Sequence, residues 1–170
     1  MNLDALREVT KCNGWKALAD TLLTQPKPSH EASGVFETYW IEGGARMREQ
    51  ISDDRKLVAL LRHMLKPYAG SQVSLYRGEN VERWKDGKIG LAWTPRIETA
   101  QMFAGGLNSV PSGGVVLHTV CAPSSVIAEP NYHSRYLGED QYTIDPFSLG
   151  GIDVIEHQPP SPVLSRANEI

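Results

Sequence analysis

The chain has few cysteines, no long apolar run and no excess of basic residues. Its two cysteines, Cys12 and Cys121, lie far apart and outside any Cys/His cluster, which argues against a zinc site and against a disulfide framework. No apolar run approaches the roughly 20 residues that a membrane span needs. The net charge of −3 gives no general attraction to nucleic acid. We therefore expect no bound metal, no membrane insertion and no general nucleic-acid binding.

The N-terminal residues 1–6 lack the basic stretch and following apolar run of a cleavable export signal. We therefore expect a cytoplasmic location in the producing cell, with secretion or delivery by another route left open. The length of 170 residues, with 41% hydrophobic residues, fits one domain with a sizeable core. A small core domain with a helical extension fits equally well.

Residues 1–69 have the apolar spacing of helices. Two short helices are predicted on either side of Asn13-Gly14, followed by a loop over residues 25–33. A further helical element is predicted from residue 35 to 47, although Gly43 and Gly44 disfavour it by roughly 1 kcal/mol each. The next helix should be capped by Asp53 or Asp54 and end at Pro67.

After Gly70 the pattern changes to short strands, which we place at residues 72–76, 115–120, 126–128, 141–144 and 152–155. Thr94 is predicted to cap a short helix that has Pro95 at its first position and ends at Gly105-Gly106. Residues 105–114 and 130–138 are predicted loops. The order of elements indicates an α+β fold with a helical region at 1–69, a core at 70–157 and a flexible tail at 158–170.

Arg77 stands where the first apolar run is predicted to stop, just before a turn at Gly78. A planar guanidinium engages two phosphate oxygens at once, so a strand that delivers an arginine to its end is suited to hold an anion. The alternative, a surface salt bridge to Glu79 or Glu82, stays open on the residues alone.

Three segments in order resemble the signature of the mono-ADP-ribosyltransferase family, of bacterial toxin or phage type. Tyr76-Arg77-Gly78 matches the arginine motif, and Trp93-Thr94-Pro95 before Ala100, Phe103 and Ala104 matches the Ser-Thr-Ser segment and its helix. Glu139-Asp140-Gln141 falls on the Glu-x-Glu pair. The resemblance covers residues 73–156 and implies a mixed two-sheet core behind a helical N-terminal region, with NAD as substrate and no metal.

The resemblance also implies roles for individual residues. The implied cofactor-binding residues are Arg77, Gly78, Trp93, Thr94 and Phe103, and the implied catalytic residues are Glu139, Gln141 and Arg77. Thr94 would brace the site, while Trp93 would either stack on nicotinamide or belong to the core. A protein acceptor would contact residues 132–136, which carry two tyrosines.

Gln141 departs from the family pattern, because it falls on the position of the catalytic glutamate. Cleavage of the nicotinamide bond develops positive charge on the ribose, and a carboxylate stabilises that charge where a neutral amide does not. Three explanations stay open: Glu139 or Asp140 supplies the carboxylate, the protein is an inactive NAD-binding relative, or the likeness is coincidental. A structural protein that uses its N-terminal helices as an interface is a further alternative.

Overall fold

A computed structural model of the protein describes residues 1–161. The predicted tail therefore lies outside the described residues from position 162 onward. The described chain forms two compact units, one made of residues 1–69 and 126–141 and the other of residues 70–125 and 142–161. Within the described range, no helix has the length and apolar character needed to cross a membrane.

Helices and two small antiparallel sheets make up the described chain, which confirms the α+β class. The helices are α1 (Leu3–Lys11), α2 (Trp15–Thr24), α3 (His30–Ile51), α4 (Asp54–Met64), α5 (Val81–Lys85), α6 (Ile97–Gly105) and α7 (Tyr132–Tyr136). The strands are β1 (Val73–Asn80), β2 (Ala92–Trp93), β3 (Gly114–Cys121), β4 (Val126–Ala128), β5 (Tyr142–Ile144) and β6 (Asp153–Gln158).

The first unit is built on α1 to α4. The predicted break between α1 and α2 is confirmed, and Asn13 there has a left-handed φ of 54°. The predicted cap at Asp53 is also confirmed, since its side chain accepts a hydrogen bond from the Lys56 amide. Large buried side chains from α2, α3 and α4, including Trp15, Phe36 and Leu60, form the core of this unit.

Helix α3 is longer than its sequence predicts. It begins at His30, where the Ser29 side chain accepts from the Ala32 amide, so the predicted loop at 25–33 is wrong in its second half. The two glycines that disfavoured this helix lie beneath aromatic rings. A Cβ on Gly43 would lie 2.7 Å from the Tyr39 ring, and one on Gly44 would lie 2.7 Å from the Trp40 ring. Glycine is thus required there by packing, which offsets its low helix propensity.

A third glycine of α3, Gly34, has no such packing role, because nothing lies within 4 Å of the point where its Cβ would be. We expect Gly34→Ala to raise the free energy of unfolding by about 0.5–1 kcal/mol, since alanine is the better helix former. Urea unfolding followed by circular dichroism measures this change. Gly43→Ala is the matched control and should be destabilising; a loss of stability in Gly34→Ala would contradict the assignment.

The second unit carries the sheet of order β1-β3-β6, in which both pairings are antiparallel. Arg77 lies opposite Leu117, and Glu79 lies opposite Val115. In the other sheet, β2 pairs with β5 in antiparallel fashion. A single bridge between Tyr76 and Thr94 connects β1 to the end of β2.

Helix α6 packs on β1 and β3 through the buried residues Ala100, Ala104 and Val116. This packing explains why the turn predicted at Gly78 is wrong: β1 continues through Gly78 to Asn80. A Cβ on Gly78 would lie 2.2 Å from the Ala100 carbonyl oxygen and 2.4 Å from the Ala104 amide nitrogen. Glycine at this position lets the helix approach the strand closely. A sequence alone does not distinguish this use of glycine from its use in a turn.

Two predicted loops contain short helical turns. The loop at 130–138 includes α7, whose N-terminus is capped by the Asn131 side chain. The loop at 105–114 includes a 3₁₀ turn, Leu107–Ser109. The predicted end of α6 at Gly105-Gly106 is confirmed, but its predicted start is not. The cap position is Arg96, and Thr94 lies two residues earlier in the bridge to Tyr76.

Candidate functional site

Strand β1 places Arg77 and Glu79 on one face, because successive side chains of a strand point to opposite sides. Arg77 therefore lies inside the strand, and the prediction that it ends the strand is wrong. Its side chain is 14% exposed, whereas that of Glu79 is fully buried at 0%. The centre of the site is therefore a buried carboxylate beside a largely buried guanidinium.

Glu79 accepts hydrogen bonds on both carboxylate oxygens. Its Oε2 accepts from Arg77 Nε at 2.8 Å and from the Gly90 amide at 2.8 Å. Its Oε1 accepts from the Asn80 amide at 3.0 Å and lies 3.5 Å from Arg83 Nε. A buried charge that is paired and hydrogen-bonded in this way is stable inside a protein.

The neighbouring cations also set the ionisation of Glu79. Burial by itself would raise the pKa of this carboxyl, but the charges of Arg77 and Arg83, together with the hydrogen bonds, hold that pKa below its usual range. Glu79 is consequently ionised at neutral pH and serves as the counter-charge of Arg77. The predicted alternative of a salt bridge to Glu79 is confirmed, but the bridge is buried and not at the surface.

The pKa shift predicts a pH dependence. The carboxyl has a lower pKa in the folded chain than its ordinary value of 4.5, so its ionisation stabilises the fold above about pH 4.5. This contribution is lost as the pH falls below that value toward the folded pKa. We expect the stability difference between the wild type and Glu79→Gln to shrink from pH 7 to pH 3, as measured by urea unfolding. The exposed Glu49→Gln variant is the control, and parallel pH curves for wild type and Glu79→Gln would contradict the assignment.

Arg77 is held at a fixed position by three neighbours. Besides its bond to Glu79, its Nη1 donates to the Ala92 carbonyl at 2.5 Å. Its Nη2 lies 2.0 Å from the point that a Cβ on Gly90 would occupy, so any side chain at this position would displace the guanidinium. Nη2 forms no hydrogen bond with the described residues. The guanidinium is therefore preorganised through Nε and Nη1, with N–H groups of Nη2 left to donate to a ligand.

Asn80, the next residue of β1, fixes the neighbouring loop. Its Nδ2 donates to the carbonyls of Asn108 and Val110, at 3.1 and 3.2 Å. Its Oδ1 accepts from the Glu82 amide at 2.9 Å and so caps α5. Sequence reasoning missed Asn80 and Gly90 as site-forming residues and gave Glu79 only as a salt-bridge partner. The signal available for Asn80 was the polar pair Glu79-Asn80, which begins two residues after the arginine at positions that continue the strand.

Trp93 and Thr94 lie beside Arg77 at the bridge between β1 and β2. The Tyr76 amide donates to the Thr94 carbonyl at 2.7 Å, and the Thr94 amide donates to the Tyr76 carbonyl at 2.9 Å. The Thr94 hydroxyl accepts from the Arg96 amide at 3.2 Å. Trp93 is 1% exposed and its indole N–H donates to the Gly90 carbonyl at 3.0 Å. The tryptophan is thus a core residue whose ring offers no exposed face to nicotinamide.

Gly78 and Phe103 occupy the opposite face of β1 from Arg77. Gly78 is buried under α6, and a Cβ added to it would lie 3.0 Å from the Phe103 Cβ. Phe103 is half-buried. Gly78 therefore contributes to helix packing, and its backbone carbonyl accepts from Asn108 Nδ2 at 2.8 Å.

The predicted acidic pair belongs to the first unit. Glu139, Asp140 and Gln141 are all half-buried and precede β5. Burial raises the pKa of Glu139, and the neighbouring His133 opposes this effect. The Glu139 and Asp140 amides donate to the Ser134 carbonyl at 3.0 and 3.3 Å, and Asp140 adopts a left-handed φ of 44°. The three residues follow the turn at residues 137–138 and have no regular secondary structure; we call them the acidic segment.

Two tyrosines of α7 are among the most exposed aromatic residues of the chain: Tyr132 is 83% exposed and Tyr136 is 77% exposed. Both belong to the predicted acceptor loop. Among residues 1–161, no group of three or more His, Cys, Asp or Glu side chains is arranged to hold a metal ion.

No family model, curated protein or solved structure matches this chain. The structure by itself defines an α+β protein with two small antiparallel sheets and a preorganised arginine on the first strand of its second unit.

Proposed function

We propose that the protein is an NAD-dependent mono-ADP-ribosyltransferase, or the related NAD glycohydrolase, acting on a protein acceptor. The observation that carries this proposal is the fixed guanidinium of Arg77. Glu79 and the Ala92 carbonyl orient it, while Nη2 keeps donors for a phosphate oxygen. Two small sheets connected at Tyr76 and Thr94 are in keeping with the two-sheet core that the resemblance implies.

In this proposal the reaction breaks the bond between the ribose C1 and the nicotinamide nitrogen. Nicotinamide leaves with the bonding electron pair, and a nucleophile of the acceptor, or water, adds to C1 and loses a proton. Arg77 holds the dinucleotide through its phosphate, Thr94 braces the strand beside it, and Glu139 supplies negative charge to the developing cation. The exposed rings of Tyr132 and Tyr136 provide contact surface for a protein acceptor.

A second candidate is a catalytically inactive NAD-binding or protein-interaction module with the same fold. Gln141 favours it, because this residue falls on the implied position of the catalytic glutamate and carries no charge. This candidate predicts NAD binding without nicotinamide release.

The Arg77→Lys variant tests the proposal. Lysine keeps a positive charge beside Glu79 but lacks the planar fork, so NAD affinity should fall by about tenfold or more. Isothermal titration with NAD measures the affinity, and urea unfolding reports whether the variant is folded. Arg46→Lys, on the exposed surface of α3, is the matched control and should bind NAD as the wild type does. Unchanged NAD affinity in a folded Arg77→Lys protein would contradict the proposal.

A further inference from the structure

Within the first unit, a chain of polar side chains connects helix α7 to the N-terminal helices. His133 Nε2 lies 3.6 Å from Glu42 Oε1, on α3. The other oxygen of Glu42 accepts from Arg7 Nη2 of α1 at 3.0 Å. His133 and Glu42 are both about one-third exposed, with 30% and 31% of each side chain accessible. Three elements that are distant in sequence therefore meet at Glu42.

A second side chain of the same segment lies close to α3. The Asn131 Oδ1 accepts from the Ser134 amide at 2.9 Å, and the Asn131 side chain neighbours the Glu37 carboxylate of α3. Burial raises the pKa of Glu37, the Asn131 hydrogen bond opposes that effect, and the charge of Glu129 adds to it. Burying a carboxylate costs free energy, which this contact partly offsets.

The attachment extends from α7 to the acidic segment. Ser134 is fully buried, and its carbonyl accepts from the amides of Glu139 and Asp140. The backbone of both acidic residues is therefore fixed to α7, and α7 lies against α3 near Glu37 and Glu42. The Glu139 side chain also lies in the field of His133, which itself pairs with Glu42.

We propose that α3 is a platform that positions the acidic segment at residues 139–141, with Glu37, Glu42 and His133 as positioning residues. The effect on turnover that we expect from this platform rests on the proposed function. It gives the N-terminal helices a role in turnover that is separate from NAD binding. Loss of the platform should lower kcat and leave KM for NAD unchanged, because Arg77 belongs to the other unit.

The test uses the Glu37→Gln/Glu42→Gln double variant of the full chain. Amide hydrogen exchange of residues 131–141, corrected for intrinsic rates, should become about tenfold faster, since two partly buried contacts are weakened. The kcat for nicotinamide release should fall by a similar factor, with KM for NAD within about twofold of wild type. Glu31→Gln/Glu49→Gln is the matched control, because it removes two exposed carboxylates from the same helix.

Replacement of His133 tests the same contact from the α7 side. His133→Gln removes the imidazole that lies opposite Glu42 and should resemble the double variant. Unchanged exchange at residues 131–141 in the double variant would overturn the platform, and faster exchange with unchanged kcat would overturn its role in turnover. A wild-type protein that releases no nicotinamide would overturn the proposed function. The exchange rates alone would then show whether α3 positions residues 139–141.

Discussion

Arg77→Ala is expected to lower the free energy of unfolding by about 3–5 kcal/mol, because it removes the main partner of a fully buried carboxylate. Glu79 would keep the Gly90 and Asn80 amides and the more distant Arg83, which is 45% exposed. Guanidinium chloride unfolding, followed by far-UV circular dichroism, measures the loss.

The control for this prediction is Arg46→Ala. Arg46 also pairs with a glutamate, but both side chains are well exposed, so the expected change is within about 1 kcal/mol. The Arg77→Ala/Glu79→Leu double variant should recover part of the loss, since no buried charge is left unpaired. If Arg77→Ala were as stable as Arg46→Ala, the buried charge of Glu79 would not depend on Arg77 for its stabilisation.

The expected loss of stability is also the reason to test NAD binding with Arg77→Lys, since the alanine variant alters stability and ligand contacts together.

Gly78→Ala should destabilise the second unit by about 3 kcal/mol or more, at the upper end of the cost of overpacking. The new Cβ would lie within 2.4 Å of two backbone atoms of α6, and neither can move without displacing the helix from β1 and β3. Thermal or chemical unfolding reports the loss. Gly150→Ala is the matched control in the same unit, because nothing lies within 4 Å of its Cβ position. Equal stability of the two alanine variants would mean that α6 does not pack on Gly78 as described.

The fold was predictable where local pattern decides it. The break at Asn13-Gly14, the cap at Asp53 and the α+β order of elements are all confirmed. Several errors arose at glycines whose role depends on side-chain or helix packing. Gly78 was interpreted as a turn, although it is a point of close approach to α6, and Gly43 and Gly44 counted against a helix whose aromatic rings require them. Such contacts join residues distant in sequence or depend on ring orientation, which a linear pattern does not encode.

The candidate site was predictable in part. The sequence singled out Arg77 and, as an alternative, its salt bridge to Glu79, which the structure contains in buried form. The importance of Gly90 could not be anticipated, because it depends on the path of the loop that brings this glycine against the guanidinium. Thr94 was predicted as a helix cap, but its backbone is used to pair with Tyr76. The placement of Glu139 just after α7 also depends on long-range contacts, since Glu42 and His133, which bring α7 to α3, lie far apart in sequence.

The most direct test of the proposed function is nicotinamide release from NAD by the purified protein, with and without cell lysate as a source of acceptor. The proposal predicts release by the wild type and a loss of about 100- to 1,000-fold in Glu139→Gln, because the amide keeps the shape and removes the charge that stabilises the ribose cation. Gln141→Glu, assayed in parallel, distinguishes the inactive module, which would gain activity from the restored carboxylate. The proposal is contradicted if the wild type releases no nicotinamide, or if Glu139→Gln releases it at the wild-type rate.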